Sequence, residues 1–336
     1  MSTPVEPPTA WGACGKSSEM KRPLDGLLDE LRARAAMPAM AALYTLSGLE
    51  AADVAQVREV WLNLPVELRQ RLVARLVEVA EADFEADFGA LFRIGLEDQD
   101  AEVRAAAVEG LWEDEDVRLV PLLAAAVRQD EAAIVRMAAA TSLGRFILLG
   151  ELEKIRPAPQ AIAYEALLAA CRDVEEDAEV RRRALESLAY VNNEAVAELI
   201  RRAYAVPEDD KMSASAVFAM GRSADPRWAY QVRQKLLSPN PELRYEAARA
   251  CGELQVTEAV PELEELAEDA DPEVQEAALW ALGQVGGDRA RRILERYCRA
   301  RDEATRVAAE AALDELEFMH GDLSELLGRL AREPEW

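Results

Sequence analysis

Seven alanines constrain this chain more than any other feature. Ala107, Ala139, Ala184, Ala216, Ala247, Ala278 and Ala309 each stand four residues after an anchor: Val103, Val135, Val180, Met212, Leu243, Val274 and Thr305. The anchors are 32, 45, 32, 31, 31 and 31 residues apart. Eight residues after each anchor come Leu111, Leu143, Leu188, Met220, Cys251, Leu282 and Leu313, and seven after it every residue is Gly, Ser or Ala. Positions 0, 4 and 8 share one face of an α-helix, and small neighbours let a second helix come close. A unit of this length cannot bury such a face alone, so successive units must stack. The expected fold is all-α: a right-handed α-solenoid, or superhelix, of seven or eight stacked antiparallel helix pairs.

Helix starts are written in the same register. Asp100-Ala-Glu-Val-Arg104, Asp177-Ala-Glu-Val-Arg181, Asn240-Pro-Glu-Leu-Arg244 and Asp271-Pro-Glu-Val-Gln275 repeat one phrase, with fainter copies near Asp130, Asp209 and Asp302 and an early one at Leu64-Pro-Val-Glu-Leu-Arg69. Asp or Asn supplies an N-cap oxygen, and proline suits the first helical turn. Partner helices are expected over 116–128, 193–205, 226–237, 260–268 and 288–301. The long step holds an insertion near 146–159 ending in Arg156-Pro-Ala-Pro159, where the prolines predict a helix break, with a longer loop or an extra helix. Residues 1–23, rich in Pro, Gly and Ser, read as a disordered tail within which Met20 is an alternative start. Residues 24–82 read as a divergent helical cap with Leu24, Leu27, Leu28, Leu31 and Ala35 on one face. The repeat array then runs over 83–316, and 317–336 form a capping helix, N-capped by Asp322, and a tail.

The pattern Val-Gln/Arg-x-x-Ala-x-x-Ala/Ser-Leu-Gly at Val274–Gly283 and Val135–Gly144 resembles a HEAT repeat, and is similar to the phycobilisome-lyase HEAT-like variety. The resemblance spans residues 64–316. It implies a scaffold or adaptor in most cases and an enzyme in a few. In such stacks an arginine one place after the anchor resembles one that bonds carboxylates or helix ends of the adjacent repeat. Arg69, Arg104, Arg136, Arg181, Arg244 and Arg306 occupy that place and are expected to serve packing. Hydroxylases that modify a lysine derivative on a translation factor share the HEAT-like fold and bind two irons through His-Glu dipeptides; this chain has one histidine, His320, followed by Gly321, so that site is excluded by ligand count. Bilin lyases carry no compact motif, so a bilin-lyase-like or other modifying enzyme stands as the alternative reading.

Composition narrows the chemistry. With 64 acidic and 39 basic side chains, the net charge of −25 opposes nucleic acid and anionic lipid. Cys14, Cys171, Cys251 and Cys298 are scattered, so no zinc site of ordinary spacing can be written, and free thiols suit a reducing cytoplasm. No cofactor, metal or catalytic group is expected. No apolar run approaches the roughly 20 residues of a membrane helix, so no spanning segment is expected. Gly12-Ala-Cys-Gly-Lys-Ser17 lacks the upstream glycine of a phosphate loop, which would fall at Ala10.

Positions 2, 6 and 10 after each anchor lie opposite the buried face and should look into the concave side. They include Arg145, Arg182, Tyr190, Phe218, Arg222, Tyr245, Arg249 and Trp280. Aromatic residues and arginine are what binding hot spots favour. This stripe is the candidate protein-binding groove, less acidic than the rest of the chain and suited to an acidic or amphipathic partner segment.

Overall fold

The computed structural model describes residues 22–206 and 209–320, the His320 side chain excepted. The expectations for the N-terminal tail up to residue 21, its alternative start and its Gly12–Ser17 segment, for the His320 imidazole, and for a last helix from Asp322 lie outside the described residues; Arg22 and Pro23, placed in that tail by the sequence, instead cap and open the first helix. Among those residues the secondary structure is helical throughout, without strands. The chain divides into two compact units at Asp98/Gln99.

The first unit holds α1 (Pro23–Arg34), α2 (Met40–Leu43), α3 (Ala51–Trp61), α4 (Val66–Ala82) and α5 (Gly89–Gly95). Leu24, Leu27, Leu28 and Leu31 bury one face of α1 as their spacing requires. Ala35 departs from the expected face: it is exposed, and at φ 44° it ends the helix in the left-handed region while its N–H donates to the Leu31 carbonyl. The core is closed by Leu68, Leu72 and Leu76 of α4 and by Phe88 and Phe92, whose rings meet edge-on at 6.4 Å. A buried carboxylate, Asp98, accepts from Trp61 Nε1 at 2.7 Å and pairs with Arg69 Nε at 2.8 Å.

The second unit is an α-solenoid. It runs through α6 (Ala101–Gly110), α7 (Leu119–Gln129), α8 (Ala133–Glu151), α9 (Pro157–Arg172), α10 (Ala178–Leu188), α11 (Glu194–Tyr204), α12 (Asp210–Arg222), α13 (Ala229–Lys235), α14 (Pro241–Glu253), α15 (Val260–Leu266), α16 (Pro272–Val285), α17 (Gly287–Tyr297) and α18 (Glu303–His320). The phrase helices are the even-numbered ones. Their caps form as read: Asp100, Asp177, Asp209, Asn240 and Asp271 accept backbone N–H groups of the first turn at 2.8–3.1 Å. All seven alanines of the column are completely buried.

From α8 to α18 each even helix packs on the odd one before it, and from α6 to α18 successive even helices pack on one another. Beyond α7 and α9, consecutive odd helices touch sparingly. The spacing is set by a second column, nine residues after the anchor. A β-carbon on Gly221 would lie 2.9 Å from the Ala250 Cα, one on Gly252 3.0 Å from the Ala281 Cα, and one on Gly283 2.6 Å from the Ala312 carbonyl oxygen. Each glycine thus sits backbone-to-backbone on the alanine seven after the next anchor. From α8 onward the even layer is the tighter one, the arrangement expected of the inner side of such an array.

The 45-residue step is taken up without an extra helix. α8 runs on through Phe146 for 19 residues, and Pro157 opens α9. The prolines therefore start a helix, because at the first helical position no N–H bond is lost. α8 is also long and apolar enough to cross a membrane by length and composition, contrary to expectation. Half of it is buried in the array, where Val135, Ala139, Leu143, Phe146 and Ile147 face neighbouring helices, and it carries Arg136 and Arg145.

Candidate partner-binding groove

The arginines after the anchors form a column of clamps. Arg104 donates through Nε and Nη2 to both oxygens of Asp130 at 2.9 and 2.8 Å, while its Nη1 donates to the Gln99 carbonyl at 2.9 Å. Arg136 repeats this with Glu176 and the Asp130 carbonyl, and Arg244 with Asp269 and the Ser238 carbonyl. Arg69 does the same in the first unit with Asp98 and the Leu64 carbonyl. Each clamp ties one phrase helix to a carboxylate 25–40 residues further on. Gln275, standing where the next arginine would be, reaches only the Asp269 carbonyl. Arg306, in the last repeat, has only loose contacts with Glu303 and Glu310. The packing role expected of this column is performed at Arg69, Arg104, Arg136 and Arg244; Arg181 makes no such clamp, its buried Nε meeting no hydrogen-bond partner.

The groove opens on the inner face of the second unit, across α8, α10, α12 and α14. Its larger hollow, about 720 Å³, is lined by Thr141, Arg145, Leu148, Arg183, Glu186, Tyr190 and Phe218, with Trp112 and Glu115 from the turn after α6. A smaller one of about 100 Å³ continues from Phe218 to Arg222, Tyr245, Glu246, Arg249 and Glu253. Tyr190, Phe218, Tyr245 and Arg249 are half-buried and Arg222 is exposed, so most of the expected stripe is together at the surface.

Two members stand apart. Arg182 is buried between α10 and α12, where Nε donates to the Ser215 hydroxyl at 2.9 Å and Nη1 pairs with Glu179 at 2.8 Å. The position two after the anchor is closed there by helix contact; Ala214, its counterpart on α12, is buried too. Trp280 lies against Gly252 of α14 and carries the Arg249 guanidinium 3.6 Å above its ring, ending the stripe as a stacked pair rather than lining either hollow.

Sequence reasoning missed Trp112 and Glu246. Trp112 sits nine after its anchor, the place of the glycine column, and a large exposed side chain there was the available signal. Glu246 lies three after its anchor, outside the chosen register.

Most groove charges are internally matched. Glu186 accepts from Arg183 at 2.5 Å and from the Ser215 hydroxyl at 2.6 Å, and Arg222 pairs with Glu253 at 3.3 Å. Glu246 is different: burial, then the nearby Glu186, Glu253 and Glu242 carboxylates, push it up to about 7 despite Arg249. An acid raised in the folded state favours folding while protonated, so its contribution is full below about pH 4.5 and is lost as pH rises through 7. Glu246→Gln is expected to raise stability at pH 8 by about 1–2 kcal/mol and to have little effect at pH 5. Urea unfolding at the two pH values measures this; an equal effect at both would remove the argument.

Stacked helix pairs, arginine clamps at several of the junctions and an inner-face groove define an α-solenoid repeat protein. The HEAT-repeat family matches residues 90–173 and 230–314, half of the sequence, and the chain belongs to that family. No curated protein sequence matches it. Solved structures similar to it include Kap95p with RanGDP (13% identity, TM-score 0.48, covering 92% of this chain and 47% of that one). The CpcE–CpcF complex of phycocyanin lyase from Nostoc sp. is similar at 16% identity and TM-score 0.47, over 77% of this chain and 94% of that one. Human deoxyhypusine hydroxylase with glycerol is similar at 18% identity and TM-score 0.35, over 80% and 96%.

Proposed function

We propose that this chain is a non-catalytic, cytoplasmic scaffold or adaptor that holds a protein partner on the inner face of its second unit. The observation that carries the reading is the continuous groove from Trp112 to Glu253, where half-buried aromatic side chains alternate with arginines along four successive even helices. Such side chains give large contact area with little loss of freedom, as binding surfaces require. Its lining holds five carboxylates, Glu113, Glu115, Glu186, Glu246 and Glu253, against four guanidiniums, Arg145, Arg183, Arg222 and Arg249. That near balance, on a chain of net charge −25, makes it less repulsive to an acidic or amphipathic segment than the chain's average surface. Burial pushes the Cys171 and Cys251 thiols up to about 12, which suits packing rather than nucleophilic work.

The test is capture from native lysate with wild type and with Tyr190→Ala/Phe218→Ala/Tyr245→Ala, after both show equal helicity and melting. A protein retained by wild type and lost by the variant is the expected result. A partner held equally by both would move the binding surface elsewhere.

A further inference from the structure

At Arg104, Arg136 and Arg244 a carboxylate of the turn before the next phrase helix closes on the guanidinium. Arg181 holds the same place in its repeat, and among the described residues no carboxylate pairs with it. A hollow of about 320 Å³ lies at this junction, formed by α9, α10, α11 and α12 and sharing no residue with the groove. Its size falls within the range of small-ligand sites, about 300–1,000 Å³.

Leu185, Leu199, Ala203 and Met212 give the hollow an apolar floor, each less than a tenth exposed. Val174 and Val206, 77% and 42% exposed, form an apolar mouth. Arg172 and Arg202 also line the hollow and are exposed, while Arg181 is half-buried. The lining thus has three guanidiniums and one carboxylate, Asp209, which caps α12 by accepting the Met212 N–H at 2.9 Å. Arg202 is engaged with Glu198 at 2.9 Å, and the balance stays positive with Glu198 counted. Arg172 has no ion-pair partner among the described residues. Burial raises the Cys171 thiol, in the same wall, to about 12, and the charges that oppose the rise are Arg181 and Arg172. On a chain of net charge −25 this is a local positive field over an apolar cavity. The Arg181 Nε is shielded, so Arg181 acts through its charge, and direct contact falls to the exposed Arg172.

We propose that this hollow binds a small amphipathic acid, whose apolar body lies against Leu185, Leu199 and Met212 and whose carboxylate stays at the mouth on Arg172. Covering the apolar floor drives the binding. A head group held at the mouth keeps part of its water, so no charge is buried unpaired. The site is separate from the groove and stands whether or not the groove holds a partner.

The probe is octanoate, with octanamide as its neutral counterpart, added to the full chain carrying ¹³C-methyl methionine. Octanoate is expected to move the Met212 methyl resonance saturably and to leave that of Met40, exposed on α2, in place. Octanamide is expected to bind at least about tenfold more weakly. Arg172→Gln brings octanoate down to the affinity of octanamide and leaves octanamide unchanged. Ala203→Phe fills the hollow and abolishes the binding of both. The wild-type comparison of acid with amide decides the matter even if Ala203→Phe folds poorly. No movement of Met212 at about 10 mM octanoate would overturn the site. Equal affinity for acid and amide, or a preference kept in Arg172→Gln, would overturn it too. Equal movement of Met40 would mark general apolar partition, with the same consequence.

Discussion

Asp98→Ala is expected to destabilise the first unit by about 3–5 kcal/mol, the usual consequence of removing one partner of a buried ion pair. The Asp98 side chain is 1% exposed and that of Arg69 only 12%. Without the carboxylate, Arg69 keeps its Leu64 carbonyl but loses its counter-charge, and the Trp61 indole loses its acceptor. Hydrogen–deuterium exchange over α3, α4 and α5 measures the loss as a fall in opening free energy. The double variant Arg69→Met/Asp98→Leu should recover most of it, because an apolar pair leaves no charge in the core. A single-variant loss below about 1 kcal/mol would mean that water already reaches the pair.

The second large effect reverses an ordinary preference. Alanine is a better helix former than glycine by about 1 kcal/mol. Gly26→Ala, in α1 with nothing within 4 Å of the new β-carbon, is expected to stabilise by about 0.5–1 kcal/mol. Gly283→Ala, in α16, is expected to destabilise by about 1–3 kcal/mol, because its β-carbon would fall 2.6 Å from a backbone oxygen of α18 that no rotamer change can move. Urea midpoints for the two variants give opposite signs if the glycine column sets the inner spacing. A stabilising Gly283→Ala would show that α18 can shift outward freely.

Much of this was legible because a repeat states its core many times. The alanine column and the Asp and Asn caps are local signals, and each structural position matches its sequence position. The glycine column was visible as letters, but its partner, the small residue seven after the next anchor, lies about 29 residues away in Gly252 and Ala281, and nothing in the chain pairs them. The groove stripe followed helical phase and so found Tyr190, Phe218 and Tyr245. It failed at Arg182, where the closeness of α10 and α12 decides burial, a property of the stack and not of either helix. Trp112 and Arg145 share a hollow because a turn after α6 folds against α8, and periodicity carries no information about turns. The prolines at 157 and 159 do stand at a helix break, between Glu151 and Pro157, but no extra helix marks it: α8 is longer instead, and Pro157 opens α9.

The backbone contact of the even layer also has a mechanical consequence. A stack whose inner edge is already at its closest approach cannot shorten along that edge, and its arginine clamps resist lengthening it. The remaining soft deformation of the second unit is rotation about that edge, with the sparsely touching outer helices spreading or closing like the leaves of a fan. Under tension the groove would then change its curvature before it changed its length, and the side chains along it would keep their spacing as the whole face flattened.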